Sequence, residues 1–163
     1  MFDKHMAVKP HIVRTDEAGI DDPAGEFYQS PEELGAYLQF TYCIKCGCCM
    51  AACPTLATDA RYLGPMPLSA AQRYNADTRD DGRRARNQVT GNSHGAFRCH
   101  YAGECSHVCP KGVDPAKAIQ YLKRQLVLDY LHLARRKKPC AKLHGPGQGK
   151  LLTNITPAPA RTV

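Results

Sequence analysis

The chain has 163 residues, nine of them cysteine and none tryptophan, and a formal charge of +7 with its seven histidines counted neutral. That length suits one domain, and its modest store of large apolar side chains leaves a thin core for metal to staple. An odd cysteine count and an opening Met1-Phe2-Asp3-Lys4-His5-Met6 without an apolar signal core argue against a secreted disulfide scaffold, and no run of about 18 apolar residues offers a membrane span; a soluble or peripheral protein in a reducing compartment is expected.

In chain order, residues 1–29 read as an extended, irregular lead-in, with loop chemistry at Thr15-Asp16-Glu17-Ala18-Gly19 and Asp21-Asp22-Pro23-Ala24-Gly25. Ser30-Pro31-Glu32-Glu33 is a helix start: Ser30 caps, Pro31 suits the first helical position and Glu33 completes a capping box. With Leu34, Tyr37, Leu38 and Phe40 or Thr41 on its apolar face, one helix from about 31 to 41 is predicted, leading into Cys43. Thr55 to Arg61 reads as loop or short helix, and Leu63-Gly64-Pro65-Met66-Pro67 as a break. A helix from Pro67 or Leu68 to Asn75 follows, with Leu68, Ala71 and Tyr74 on one side. The stretch Asp77 to Asn92 is densely charged, and its Arg83-Arg84-Ala85-Arg86 run reads as a solvated helix face or helix end.

After a loop at Gly91-Asn92-Ser93-His94-Gly95, Asp114-Pro115 caps and starts the longest helix, along which Ala118, Ile119, Leu122, Leu126, Tyr130 and Leu133 keep helical spacing. The Arg135-Arg136-Lys137-Lys138 run suits a helix C-terminus, and Pro139 ends the helix. The elements predict an all-α fold: a helical domain over residues 30–138, a lead-in over 1–29 and a flexible or partner-bound tail over 139–163. Neither basic run is interleaved with stacking aromatics, which argues against nucleic acid.

The chain is organised around Cys43-Ile44-Lys45-Cys46-Gly47-Cys48-Cys49-Met50-Ala51-Ala52-Cys53-Pro54. This is the Cys-x2-Cys-x2-Cys-x3-Cys-Pro spacing by which bacterial-type ferredoxins hold iron–sulfur clusters, the fourth cysteine serving the other cluster in two-cluster proteins. A second run, Cys99, Cys105 and Cys109-Pro110, repeats the spacing with Ala102 where a thiol is due. In that logic Cys43, Cys46, Cys49 and Cys109 bind a [4Fe-4S] cluster. Cys53, Cys99 and Cys105 form a three-thiolate site that suits a [3Fe-4S] cluster, because a methyl group cannot bind iron. Zinc is the competing metal, although its four-thiolate sites usually draw on two separate cysteine pairs. Cys48 and Cys140 are not assigned as ligands. Cys48 reads as a small packed side chain, with closure of the three-iron site as its alternative role.

Cys43 to Pro54, Tyr62-Leu63-Gly64-Pro65, Arg73-Tyr74-Asn75-Ala76-Asp77-Thr78-Arg79-Asp80, Phe97-Arg98-Cys99-His100 and Cys105-Ser106-His107-Val108-Cys109-Pro110-Lys111-Gly112-Val113-Asp114-Pro115 together resemble one family. Over roughly residues 2–133 the chain is similar to the C-terminal half of the iron–sulfur subunit of succinate dehydrogenase and fumarate reductase, in which the vacancy at Ala102 is a family trait. The resemblance implies a small helical dicluster ferredoxin-like domain that relays electrons and does not itself oxidise succinate. It implies a FAD-containing flavoprotein on one side and membrane anchor subunits with quinone, menaquinone or ubiquinone, on the other. The location implied is peripheral, on the inner face of a bacterial cytoplasmic membrane or the matrix side of the mitochondrial inner membrane.

Carried over residue by residue, Pro54, His100 and Lys123 look like quinone-side positions; without the resemblance His100 reads as a donor to cluster sulfur and Lys123 as a solvated helix residue. Where ubiquinone-linked members carry tryptophans after Cys-Pro, this chain has Thr55-Leu56-Ala57-Thr58, which leans towards menaquinone or fumarate-reductase-like relatives. No cysteine precedes Cys43, so the family's [2Fe-2S] cluster is expected only in a missing or separate N-terminal domain. The alternatives of other classes are a dicluster or heterodisulfide-reductase-type carrier serving a soluble partner, against which Ala102 speaks, and a zinc-stapled basic nucleic-acid-binding module.

Overall fold

The computed structural model describes residues 1–14, 25–133 and 142–144. In chain order come helix α1 (Phe2–Ala7), strand β1 (Gly25–Phe27), and helices α2 (Pro31–Gly35), α3 (Leu38–Thr41), α4 (Cys48–Ala51) and α5 (Pro54–Thr58). Then follow α6 (Pro65–Ala76), α7 (Arg83–Thr90), a 3-10 turn at Ala96–Arg98, α8 (Glu104–His107), the long α9 (Pro115–Tyr130) and strand β2 (Lys142–His144). The architecture is helical, as the sequence predicts. One short ribbon is added to it: β1 and β2 pair antiparallel, with Glu26 opposite Leu143.

Packing of α6 against α9 makes the centre. Leu68 and Ala71 from α6 meet Ile119, Leu122 and Leu126 from α9, and Val8, Tyr62, Leu63 and Ala96 close the cluster. The spacing in α9 thus sorts its faces as helical periodicity requires up to Leu126. Tyr130 and Leu133 fall outside that face, exposed, because the helix ends at Tyr130.

The lead-in is more ordered than its composition indicates. Its first residues form α1, Lys4 Nζ donates to the Tyr62 carbonyl at 2.6 Å, and Val8 is fully buried in the core. The Ser30–Glu33 capping box forms as predicted, Glu33 N donating to Ser30 Oγ at 3.2 Å and Ser30 N to Glu33 Oε2 at 2.8 Å. The helix it starts is broken into α2 and α3, however. Tyr37, at φ −130°, turns its ring into the core, where its hydroxyl donates to Gln29 Oε1 at 2.7 Å.

The charged stretch 77–92 departs furthest from expectation. Arg86 is not on a solvated face: it is 1 % exposed and pairs with Asp80, 2 % exposed. Its guanidinium also donates to the carbonyls of His11 and Lys9, at 2.7 and 3.1 Å, and so ties the lead-in to α7. Arg83 reaches across to Asp129 on α9. The loop at residues 15–24, the Arg135–Lys138 run, Pro139 and the tail apart from β2 lie outside the described residues.

Candidate metal centre

The two cysteine runs fold alike. Lys45 (φ 58°) and Gly47 (φ 84°) flank Cys46 in the left-handed conformation, and Tyr101 (φ 62°) and Gly103 (φ 85°) flank Ala102 in the same way. Glycine takes that conformation freely, whereas Lys45 and Tyr101 pay about 1–2 kcal/mol each for it. Each loop then enters one turn of helix, α4 carrying Cys49 and α8 carrying Cys105, and the two turns pack together. The backbone therefore puts Ala102 in the second run where the first has the Cys46 thiol.

Two cavities follow from this geometry. The first is lined by Cys43, Cys46, Cys49 and Cys109, with Met66 and Val113 among the apolar walls. The second is lined by Cys53, Cys99 and Cys105, with Ala102 and Gly103 in its wall. The last cysteine of each run thus reaches the other run's cavity. Ser106 Oγ donates to Asp114 Oδ1 at 2.5 Å and accepts from Ala116 N at 3.2 Å, fixing α8 to the start of α9. Asp114 also accepts from Lys117 N at 2.9 Å, the cap that the sequence predicts.

Among the described residues, no group of three or more His, Cys, Asp or Glu side chains closes on a single-ion site. The thiols stand instead around voids, four at one and three at the other. This donor set fits polynuclear iron–sulfur groups. Cys48 lies outside both linings. It is exposed rather than packed as expected, paired with the exposed Cys46.

The electrostatics point the same way. Burial pushes the Cys49 thiol up to about 12, and the sulfurs of Cys43, Cys105, Cys109 and Cys46 push in the same direction. Burial is also the main cause that raises Cys105. Thiolates so close and so dry repel one another, and a cationic metal core is what lets them ionise together. At the exposed rim, hydrogen bonds from the backbone and thiol of Cys48 lower Cys46, and the same pairing raises Cys48.

Of the three positions carried over from the resemblance, Pro54 lines the second cavity. Lys123 Nζ donates to the Cys99 carbonyl at 2.7 Å. His100, next to Cys99 in the chain, is exposed. Tyr62, by contrast, carries no sequence signal as a site residue, yet it is fully buried and lines the second cavity. It falls just before the Gly64-Pro65 break, where no periodicity shows which way a ring points.

Residues 39–113 match the 4Fe-4S dicluster domain family. The chain is 50% identical over 120 residues to the fumarate reductase iron-sulfur subunit of Mycobacterium tuberculosis, covering 74% of this chain and 48% of that protein. It is 39% identical over 133 residues to the fumarate reductase iron-sulfur subunit of Haemophilus influenzae, covering 77% and 52%. Against the mitochondrial succinate dehydrogenase [ubiquinone] iron-sulfur subunit of Candida glabrata it is 33% identical over 129 residues, covering 78% and 50%. The chain spans about half the length of the curated relatives it matches.

Proposed function

We propose that the chain is the electron-relay part of a succinate:quinone oxidoreductase, a reading supported by the match of residues 39–113 to the 4Fe-4S dicluster domain family and by the similarity to about half the length of fumarate reductase and succinate dehydrogenase iron–sulfur subunits. Cys43, Cys46, Cys49 and Cys109 hold a [4Fe-4S] cluster, and Cys53, Cys99 and Cys105 hold a [3Fe-4S] cluster. When bound, these groups supply one-electron redox chemistry. One observation carries the reading: the runs exchange their last cysteines between two cavities, and Ala102 stands in the wall of the three-thiol one.

The chain's own residues then do three things. They supply seven thiolates, exclude water from the buried sulfurs of Cys49, Cys53 and Cys105, and lock the two sites together through the paired turns α4 and α8. Pro54, His100 and Lys123 face quinone on the side of the three-thiol site. An ammonium has three donors, so Lys123 bonds the Cys99 carbonyl and still has donors for a quinone oxygen, where reduction builds negative charge.

The partners in this proposal are a FAD-containing flavoprotein, a membrane anchor, and a [2Fe-2S] domain in the same polypeptide or in another chain. In this reading the chain sits on the inner face of the membrane, held by the anchor; among the described residues no helix is long and apolar enough to cross a membrane. The quinone is of the menaquinone or ubiquinone type. The test is stopped-flow oxidation of the reduced, cluster-loaded protein by a soluble naphthoquinone and a soluble benzoquinone. Lys123→Ala is expected to slow oxidation by at least one of them about tenfold while both cluster spectra stay intact. Rates unchanged with both quinones contradict the quinone-side assignment.

A further inference from the structure

The ring of Tyr62 is 0 % exposed and packs in the central core beside Cys53. Its hydroxyl is buried and, among the described residues, meets no partner in hydrogen-bonding geometry. The residue lines the same cavity as Cys53, Cys99 and Cys105, and after burial the sulfurs of Cys99 and Cys53 are the main causes that raise its phenol above the ordinary value. The backbone fixes the ring where it is. Tyr62 N donates to the Asp59 carbonyl at 3.0 Å, the Tyr62 carbonyl accepts from Lys4 Nζ at 2.6 Å, and Leu63 N donates to the His94 carbonyl at 2.9 Å. A phenol held this way cannot turn to water. A buried donor left unpaired costs about 1–3 kcal/mol, and such groups in folded proteins almost always have an acceptor.

We propose that the Tyr62 hydroxyl donates a hydrogen bond to sulfur at the three-thiol site and so sets the reduction potential of the cluster held there. The inference rests on the assignment of Cys53, Cys99 and Cys105 as ligands. Sulfur carries more negative charge in the reduced cluster than in the oxidised one. A donor aimed at it therefore favours reduction, and hydrogen bonding to sulfur is one of the protein's levers on cluster potential. The four-thiol cavity provides an internal control, because Tyr62 does not line it.

The test compares the cluster-loaded full chain with its Tyr62→Phe variant, which keeps the ring and loses only the hydroxyl. In an EPR-monitored redox titration the three-iron signal keeps its shape and amount in the variant. Its ratio of reduced to oxidised cluster at fixed ambient potential falls about tenfold, which is 59 mV lower for a one-electron couple, and the four-iron couple does not move. After exchange into D2O, a deuteron coupling to the three-iron cluster seen in pulsed EPR of the wild type is missing from the variant. A normal three-iron signal with an unmoved potential and a retained coupling overturns the role of Tyr62, as does an equal shift of both clusters. Absence of any three-iron signal from the loaded wild type overturns the ligand assignment and this inference with it.

Discussion

Arg86→Met tests the unexpected centre of the charged stretch. The substitution removes hydrogen bonds from the guanidinium to both Asp80 carboxylate oxygens, the His11 and Lys9 carbonyls, and Asn75 Oδ1. Asp80 still accepts from Val13 N and Gly82 N, each at 2.9 Å. It loses the guanidinium that bonds both of its carboxylate oxygens in the core. Breaking a buried pair on one side costs about 3–5 kcal/mol, a large part of the roughly 5–15 kcal/mol that holds a domain. At about 2–4 °C per kcal/mol for a chain of this size, the melting temperature of the cluster-loaded protein should fall by roughly 6–20 °C, read by circular dichroism. Adding Asp80→Asn removes the buried carboxylate charge that Arg86 offset and should recover about 2 kcal/mol, since the two positions are directly coupled. A single variant within about 1 kcal/mol of wild type, or a double variant no better than the single one, refutes the reasoning.

Three further outcomes are expected. Ala102→Cys supplies a fourth thiol at the second cavity, between the left-handed residues Tyr101 and Gly103, and should convert the three-iron EPR signal towards a four-iron one; an unchanged three-iron signal contradicts the alignment of the two runs. Because burial holds the Cys49 thiol at about 12 and metal takes the thiolate, loading expels protons at any lower pH and should tighten from pH 6.5 to 8.5. Proton release followed in weak buffer checks this, and pH-independent loading contradicts it. Gly64 sits at φ +95°, and a Cβ there would lie 2.5 Å from Met50 Sδ and Cε; Gly64→Ala should therefore destabilise by about 1–3 kcal/mol, from backbone strain and displacement of Met50 next to Cys49, measured by chemical denaturation.

What the sequence makes legible here is local or fixed by spacing. The caps at Ser30 and Asp114 are short-range hydrogen bonds between neighbours, so their residue types announce them. The cysteine spacings encode which turns face which cavity, because helix geometry and two left-handed glycines leave few ways to wrap them. Tyr37, Arg86 and Tyr62 are different. Each is placed by partners far away in the chain: Tyr37 by Asp77 and Arg79, Arg86 by the lead-in carbonyls, and Tyr62 by Lys4 and the second cavity. Composition favours the solvated reading of an arginine run, and only the fold reveals the carboxylate beneath it. Helix α1 carries no sequence signal for the same reason, since Val8 is held by tertiary burial and not by any cap or repeat.

The central claim is two sulfur sites of unequal valence that exchange one anchor each. Low-temperature EPR of the oxidised, fully loaded protein, with iron and zinc quantified on the same sample, addresses it most directly. Seven irons per chain, little zinc and a three-iron signal before any reductant is added are expected. Four zinc-like ligands with no iron, or eight irons and an EPR-silent oxidised state, would contradict it.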